Sequence, residues 1–278
     1  MRITFWGTRG SIAAPGPETL RYGGNTSCVE LRINERHVVI LDAGTGIRRL
    51  GQALPDTIER VDILLTHLHM DHIQGMGFFP YLRMPHLEVT LWGPASATMT
   101  LAERLARYMS PPLFPVRLRD LSVRLREVPG AEFDLPGLKV TSDYIVHPGP
   151  TVGYRIEGPF GVVTYMPDHE PALGVRDFPL APEWTSGHDL ACEADVLIHD
   201  SQYTHAEYAN RVGWGHSTMR QMVAFAKLCR VKHLVPFHFD PARTDDDLDA
   251  SIAAAVAHEK PEFPVTPAAE GASIDLGN

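Results

Sequence analysis

The stretch from residue 61 to residue 75, VDILLTHLHMDHIQG, decides how the rest of this chain reads. It opens on a branched, apolar run (Val61, Ile63, Leu64, Leu65) of the length of a buried strand. It then packs His67, His69, Asp71 and His72 into six residues before Gly75. A buried strand followed at once by that many imidazoles is expected to build a metal site. In an extended segment His67 and His69 share a face, because side chains alternate with period two, so both rings can reach one ion. Asp71 and His72 follow where the strand turns toward a helix, placed to meet a second ion beside the first.

The string Thr66 to His72, THLHMDH, matches the H-x-H-x-D-H signature of the metallo-β-lactamase-fold hydrolases, and the chain resembles that family over nearly its whole length. The resemblance implies an α/β fold, a four-layer αβ/βα sandwich of two facing mixed sheets flanked by helices, with metals at one edge. Length agrees: 278 residues with 44% apolar content can bury a large core. No Ser-, Gly- or charge-rich linker divides the chain, so a single domain over 1–278 is expected.

Composition narrows the partners. A formal net charge of -9 lacks the Lys/Arg excess that phosphate neutralisation requires, which disfavours nonspecific attraction to nucleic acid. Cys28, Cys192 and Cys229 are far apart and odd in number, so they form no disulfide framework and fit a reducing cytoplasm. No apolar stretch approaches the ~18 residues of a membrane span, and none follows the basic start MRITFWGTRG. A soluble cytoplasmic protein is expected.

Along the chain, Ile3 and Phe5 suggest a first strand ended by Gly7. Residues 9–25, rich in Gly and Pro, read as a long loop that flanks the site. Residues 28–33 and 37–41 alternate as a hairpin. Asp42 follows, with two readings: a helix N-cap for residues 45–53, or, by resemblance, a buried carboxylate bonded near the metal centre. Residues 75–86 are aromatic and Pro-punctuated, suited either to a pocket wall or to an ordinary apolar loop. A strand is expected over 88–92, a helix over 95–108 with a core stripe of Met99, Leu101, Leu105 and Tyr108, and alternating strands over 121–146 with a turn at Pro136-Gly137. A strand over 161–165 follows, then an irregular stretch over 171–188. Further strands are expected over 195–199 and 231–237 and around Val265 and Ile274, and helices over 203–210 and 217–229. A last helix opens on the capping pair Thr244 and Asp247.

Carried over residue by residue, the resemblance assigns His67, His69 and His147 to a first ion, and Asp71, His72 and His238 to a second, with Asp168 bridging. Imidazole and carboxylate without thiolate suit two divalent ions, zinc foremost, with manganese or iron as alternatives. Two ions about 3.5 to 4 Å apart would clamp a phosphoryl group and prepare a hydroxide nucleophile. Asp71 is thereby placed among the catalytic residues. The sequence GHST at 215–218 resembles the motif that supplies a general acid in the tRNA 3′-end-processing nucleases of this superfamily. His216 is accordingly expected as the acid and Asp200 as its partner, the alternative being that His216 caps the helix beginning near Ser217.

These features point to a phosphodiesterase. No protruding basic arm is evident, so a small diester such as a cyclic nucleotide is expected ahead of RNA, with no DNA or membrane partner. A tRNA-processing-type endoribonuclease and a noncatalytic metal-binding sensor or scaffold stand as alternatives. The resembled nucleases are commonly dimers, so a homodimer is expected. Arg9, Arg21 and Arg155 read as phosphate contacts or as ordinary surface charges, and His37, His86, His188, His199, His205, His233 and His258 as surface or structural. The orientation of His169 is not legible.

Overall fold

A computed structural model describes residues 1–128, 132–175 and 178–277. The strands are β1 (Arg2–Gly7), β2 (Cys28–Arg32), β3 (His37–Leu41), β4 (Arg60–Leu64), β5 (Glu88–Pro94), β6 (Arg124–Val128), β7 (Glu132–Leu135), β8 (Leu138–Tyr144), β9 (Val152–Gly158), β10 (Gly161–Met166), β11 (Val196–Asp200), β12 (Leu234–Phe237) and β13 (Ser273–Asp275). The α-helices are α1 (Ile47–Ala53), α2 (Met70–Ile73), α3 (Leu101–Tyr108), α4 (His188–Ala191), α5 (His205–Tyr208), α6 (Met219–Leu228) and α7 (Asp245–Glu259). Among the described residues the strands form two mixed sheets, ordered β13-β1-β2-β3-β4-β5-β6 and β12-β11-β10-β9-β8-β7. Residues 129–131, inside the strand-rich stretch expected over 121–146, and residues 176–177, inside the irregular stretch expected over 171–188, lie outside the described residues.

Period-two alternation in the central strands sorts side chains into separate cores. Val39 and Leu41 of β3 and Leu64 of β4 face the second sheet, packing with Tyr154, Ile156, Tyr165, Ile198 and Phe237. Val38 and Ile40 of β3 and Val61 and Ile63 of β4 turn the other way, onto Ile47, Leu50, Leu101 and Leu105 of α1 and α3. On the far side of the second sheet, Leu197 and Leu234 pack with Met222, Phe225, Leu248 and Ile252 of α6 and α7. The order is therefore helix, sheet, sheet, helix, the expected sandwich. Each of these aliphatic side chains contributes about 1.5–3 kcal/mol on full burial.

Several helix starts sit later than the sequence suggested. The helix expected from residue 95 begins at Leu101, because Thr100 accepts from the Glu103 backbone while the Glu103 carboxylate reaches back. The helix expected over 203–210 contracts to α5 behind a Thr204–Glu207 capping box, and that expected over 217–229 begins at Met219, capped by Thr218. The Thr244–Asp247 pair caps α7 as expected. Val265 makes only an isolated bridge to Leu234, whereas Ile274 lies in β13.

The sheets place the site. β3 and β4 run parallel in one sheet, and β10, β11 and β12 run parallel in the other. β8 shares the direction of β10, both being antiparallel to β9. Their carboxyl ends deliver Asp42, His67, His147, Asp168, Asp200 and His238 to one edge, where α/β sheets gather their ligands.

Candidate metal centre

The seven residues assigned to the metals come together as two adjoining sets. His67, His69, His147 and Asp168 offer ligand atoms within 4.8 Å of one another, and so do Asp71, His72, Asp168 and His238. Asp168 belongs to both sets, the position a bridging carboxylate requires. His67 and His69 lie just beyond the hydrogen-bonded end of β4 rather than within the strand, so a loop, not strand alternation, converges their rings to 4.4 Å. Asp71 and His72 stand in α2.

Hydrogen bonds set the tautomers. His72 Nδ1–H donates to Asp42 at 2.7 Å, and His147 Nδ1–H donates to the Gly215 carbonyl at 2.9 Å. The Thr66 hydroxyl donates to Asp42 and lies 3.1 Å from His67 Nδ1, which can donate to it. Each ring thereby turns Nε2 inward, and partners that fix a ring in this way are the usual second layer of a metal site. Among the described residues, His67 Nε2 and Asp168 Oδ1 are buried without a hydrogen-bond partner. His69 Nδ1 and His147 Nε2 face each other at 3.2 Å, and His72 Nε2 and His238 Nε2 at 3.3 Å. Nitrogens gathered around buried carboxylate oxygens fit divalent cations, so the donor set and its geometry suit the expected group.

The electrostatics agree. Burial, reinforced by neighbouring rings, pulls His67 well below its ordinary range and His147 down to about 4, leaving both neutral, the form that binds metal. Burial opposes charge on Asp71 and Asp168, yet the surrounding histidines hold both carboxylates below their ordinary range. Burial also opposes charge on His72, but Asp168, Asp71 and Asp42 overcome it and raise the ring well above its ordinary value. The same three buried carboxylates that raise His72 are the negative charge a bound cation would meet.

Asp42 is not a helix cap. Gly46 precedes α1 without a side-chain cap, while Asp42 accepts from Thr66, His72 and Tyr165 beneath the centre. Asp42 and His238 both adopt left-handed backbone at strand ends, with φ of 60° and 59°, an arrangement uncommon for residues other than glycine. Arg9, Arg21 and Arg155 are all engaged within the protein. Arg9 is buried against Asp245, Arg21 pairs with Asp246 and Asp249, and Arg155 meets Glu157 and the Leu190 and Cys192 carbonyls. The 9–25 loop does flank the site, through the Ser11 amide that donates to Asp71 Oδ2 at 2.7 Å.

His216 does not cap its helix, a role that Thr218 fills. Its Nδ1–H donates to Asp200 at 2.7 Å, and the ring stacks 5.2 Å from His238. Asp200 is itself fixed by the backbone N–H groups of Gln202, Ser217 and His169. Burial lowers the His216 pKa, but Asp200 outweighs it and the group is pushed up to about 9. Asp200, His216 and His238 also offer atoms within 4.8 Å, and of these Asp200 and His216 are already joined by the short hydrogen bond.

Sequence reading missed the supports. Thr66 and Tyr165 look like ordinary strand residues until they meet Asp42. Buried Glu170 accepts from the Gly213 and Gly215 amides and so holds the loop carrying Gly215 and His216. The adjacency of Glu170 to Asp168 was its only local signal. His169 turns away, its Nδ1 2.9 Å from His199 Nε2 beside Phe225. His199 and His37 are structural and buried, His37 against Asp62.

Residues 37–239 match the family described as Beta-lactamase superfamily domain. The chain is 24% identical to a ribonuclease Z of Brevibacillus brevis, the match covering all of this chain and 96% of the relative. Its fold is similar to Zn(2+)-bound PqqB from Methylobacterium extorquens (TM-score 0.70, 21% identity, 99% and 100% of the chains covered). It is also similar to the short form of human tRNase Z (TM-score 0.64, 23% identity, 99% of each chain covered).

Proposed function

This chain belongs to the β-lactamase superfamily, and from that premise we propose that it is a metal-dependent phosphodiesterase using His67, His69, Asp71, His72, His147, Asp168 and His238 as ligands of two divalent ions. We read residues 1–278 as one domain built around this centre. The observation that carries the proposal is the sharing of Asp168 between two ligand sets, with an Asp200–His216 pair beside them. When bound, two such ions polarise a phosphoryl group and lower the pKa of a bound water to about 7, with zinc the foremost candidate. The protein's own part is orientation and proton supply. Asp42 and Thr66 fix the ligand rings, the Ser11 amide holds Asp71, and Asp200 keeps His216 oriented to protonate the departing ester oxygen.

A small diester is the favoured substrate, a cyclic nucleotide being the best single candidate, because 25 Lys and Arg against 34 Asp and Glu give weak attraction for a polyanion. RNA is the second reading, favoured by relatives named ribonuclease Z, one of which aligns along the whole chain. The test is metal-loaded protein assayed on bis-p-nitrophenyl phosphate, cyclic nucleotides and a precursor tRNA. Turnover of small diesters with little salt dependence supports the first reading, and salt-sensitive cleavage of the precursor alone supports the second. Full metal loading with every diester intact would leave the noncatalytic alternative.

A further inference from the structure

A cavity of about 730 Å³ opens directly beside the first ligand set, with His67 and His69 in its wall. That volume is typical of sites for small organic molecules. The rest of the wall is mainly aromatic and apolar, with Arg104 and Arg107 as its charged members. Phe78 and Tyr108 each lie against Phe114, at ring separations of 5.7 and 5.6 Å. Phe114 is seated over Gly77, where an added Cβ would come within 2.2 Å of the ring. Tyr108 is anchored through its hydroxyl, which donates to the Gln74 carbonyl at 2.6 Å. The rim carries large apolar side chains left open to solvent: Phe78 at 60%, Leu113 at 71% and Met70 at 48% exposure. Phe114, buried beneath the exposed Phe78 ring, makes a preformed surface that is continuous with two proposed metal ligands, His67 and His69.

We propose that this cavity binds an aromatic ester arm, of about nucleobase size, of the phosphodiester whose phosphorus sits at the metal centre. The inference deepens the phosphodiesterase reading and rests on it for the position of the phosphorus. Phe78 and Leu113 select the arm by stacking and apolar contact; they position substrate and take no part in proton transfer. Aromatic stacking of this kind discriminates by about ten-fold per ring.

The test compares diesters that share a leaving group and differ in the other arm, bis-p-nitrophenyl phosphate and methyl p-nitrophenyl phosphate, alongside calorimetric binding of diphenyl and dimethyl phosphate to the metal-loaded protein. Wild type is expected to show KM and Kd about ten-fold lower for the aryl member of each pair. Phe78→Ala and Leu113→Ala should erase most of that preference, both being surface-exposed changes compatible with folding. Leu180→Ala, at another exposed apolar position, should keep it. Aryl binding preference without hydrolysis of any diester would retain the cavity and remove the phosphodiesterase reading. Hydrolysis of both substrates with no aryl preference, or with a preference that survives both substitutions, would overturn the cavity assignment and leave the phosphodiesterase reading standing.

Discussion

Replacing Asp42 by Asn removes one charge and one acceptor from beneath the metal centre while keeping the shape. Asp42 is fully buried and accepts from four donors: the Thr66 amide at 2.8 Å, the Thr66 hydroxyl at 3.0 Å, His72 Nδ1 at 2.7 Å and the Tyr165 hydroxyl at 2.9 Å. Tyr165 stays a donor, since burial and Asp42 raise it well above its ordinary value. Asn tolerates the left-handed backbone of position 42, so the substitution isolates the side chain. Its NH2 must face either the Thr66 amide or the His72 and Tyr165 donors, setting donor against donor. An unsatisfied buried donor costs about 1–3 kcal/mol, the expected loss of stability in the metal-free protein by urea unfolding. His72 can escape by accepting at Nδ1, but its proton then occupies Nε2, the atom that faces Asp168. Metal affinity should accordingly fall about 10- to 100-fold, or about 1.4–2.7 kcal/mol, read by competition with a chromophoric chelator. An Asp42→Asn protein that binds metal within two-fold of wild type and unfolds at the same urea concentration would refute this reasoning.

Further outcomes follow from the same contacts. His216→Ala and Asp200→Asn should lower kcat about 10²- to 10⁴-fold with metal content retained, measured by turnover and metal analysis of the same samples. In the metal-free protein the His216 imidazole should titrate near 9 by NMR, and Asp200→Asn should bring it down. Because the folded value is raised, the pair's stabilisation is fully present below the unfolded value of about 6.5 and is lost as pH rises through about 9. Gly10→Ala should weaken one metal equivalent selectively in a calorimetric titration, since a Cβ there meets the His238 ring at 2.4 Å. Arg9→Ala should destabilise the fold by about 3–5 kcal/mol in urea, by leaving Asp245 as a buried charge without its guanidinium partner at 3.0 Å.

Of the proposed ligands, His67 to His72 are legible from local spacing after an apolar run, whereas His147, Asp168 and His238 are reached only through the family resemblance. His67 to His72 form one cluster, and His147, Asp168 and His238 each follow a strand. The layered fold is legible only through the family resemblance, with the apolar run of Val61, Ile63, Leu64 and Leu65 agreeing with a strand buried on both faces. What the sequence hid depends on long-range contact. Nothing local tells that Thr66 and Tyr165 would meet on Asp42, that Arg9 would be buried against Asp245, or that Glu170 would hold a loop more than forty residues away. Helix starts were misjudged where apolar spacing extended beyond a capping box, as at Thr100, because the cap stops the helix whatever lies before it. The cavity wall is half visible in the sequence: residues 75–86 suit either a wall or a loop, and Phe78 does line the cavity, but Tyr108 reads as core and nothing local joins Phe114 to it.

Anomalous scattering from crystals of zinc-loaded protein tests the central claim most directly. Two peaks about 3.5–4 Å apart are predicted, one among His67, His69 and His147 and one among Asp71, His72 and His238, with the Asp168 carboxylate between them. A single peak, or zinc bound away from Asp168, would contradict the dinuclear centre on which the proposed chemistry rests.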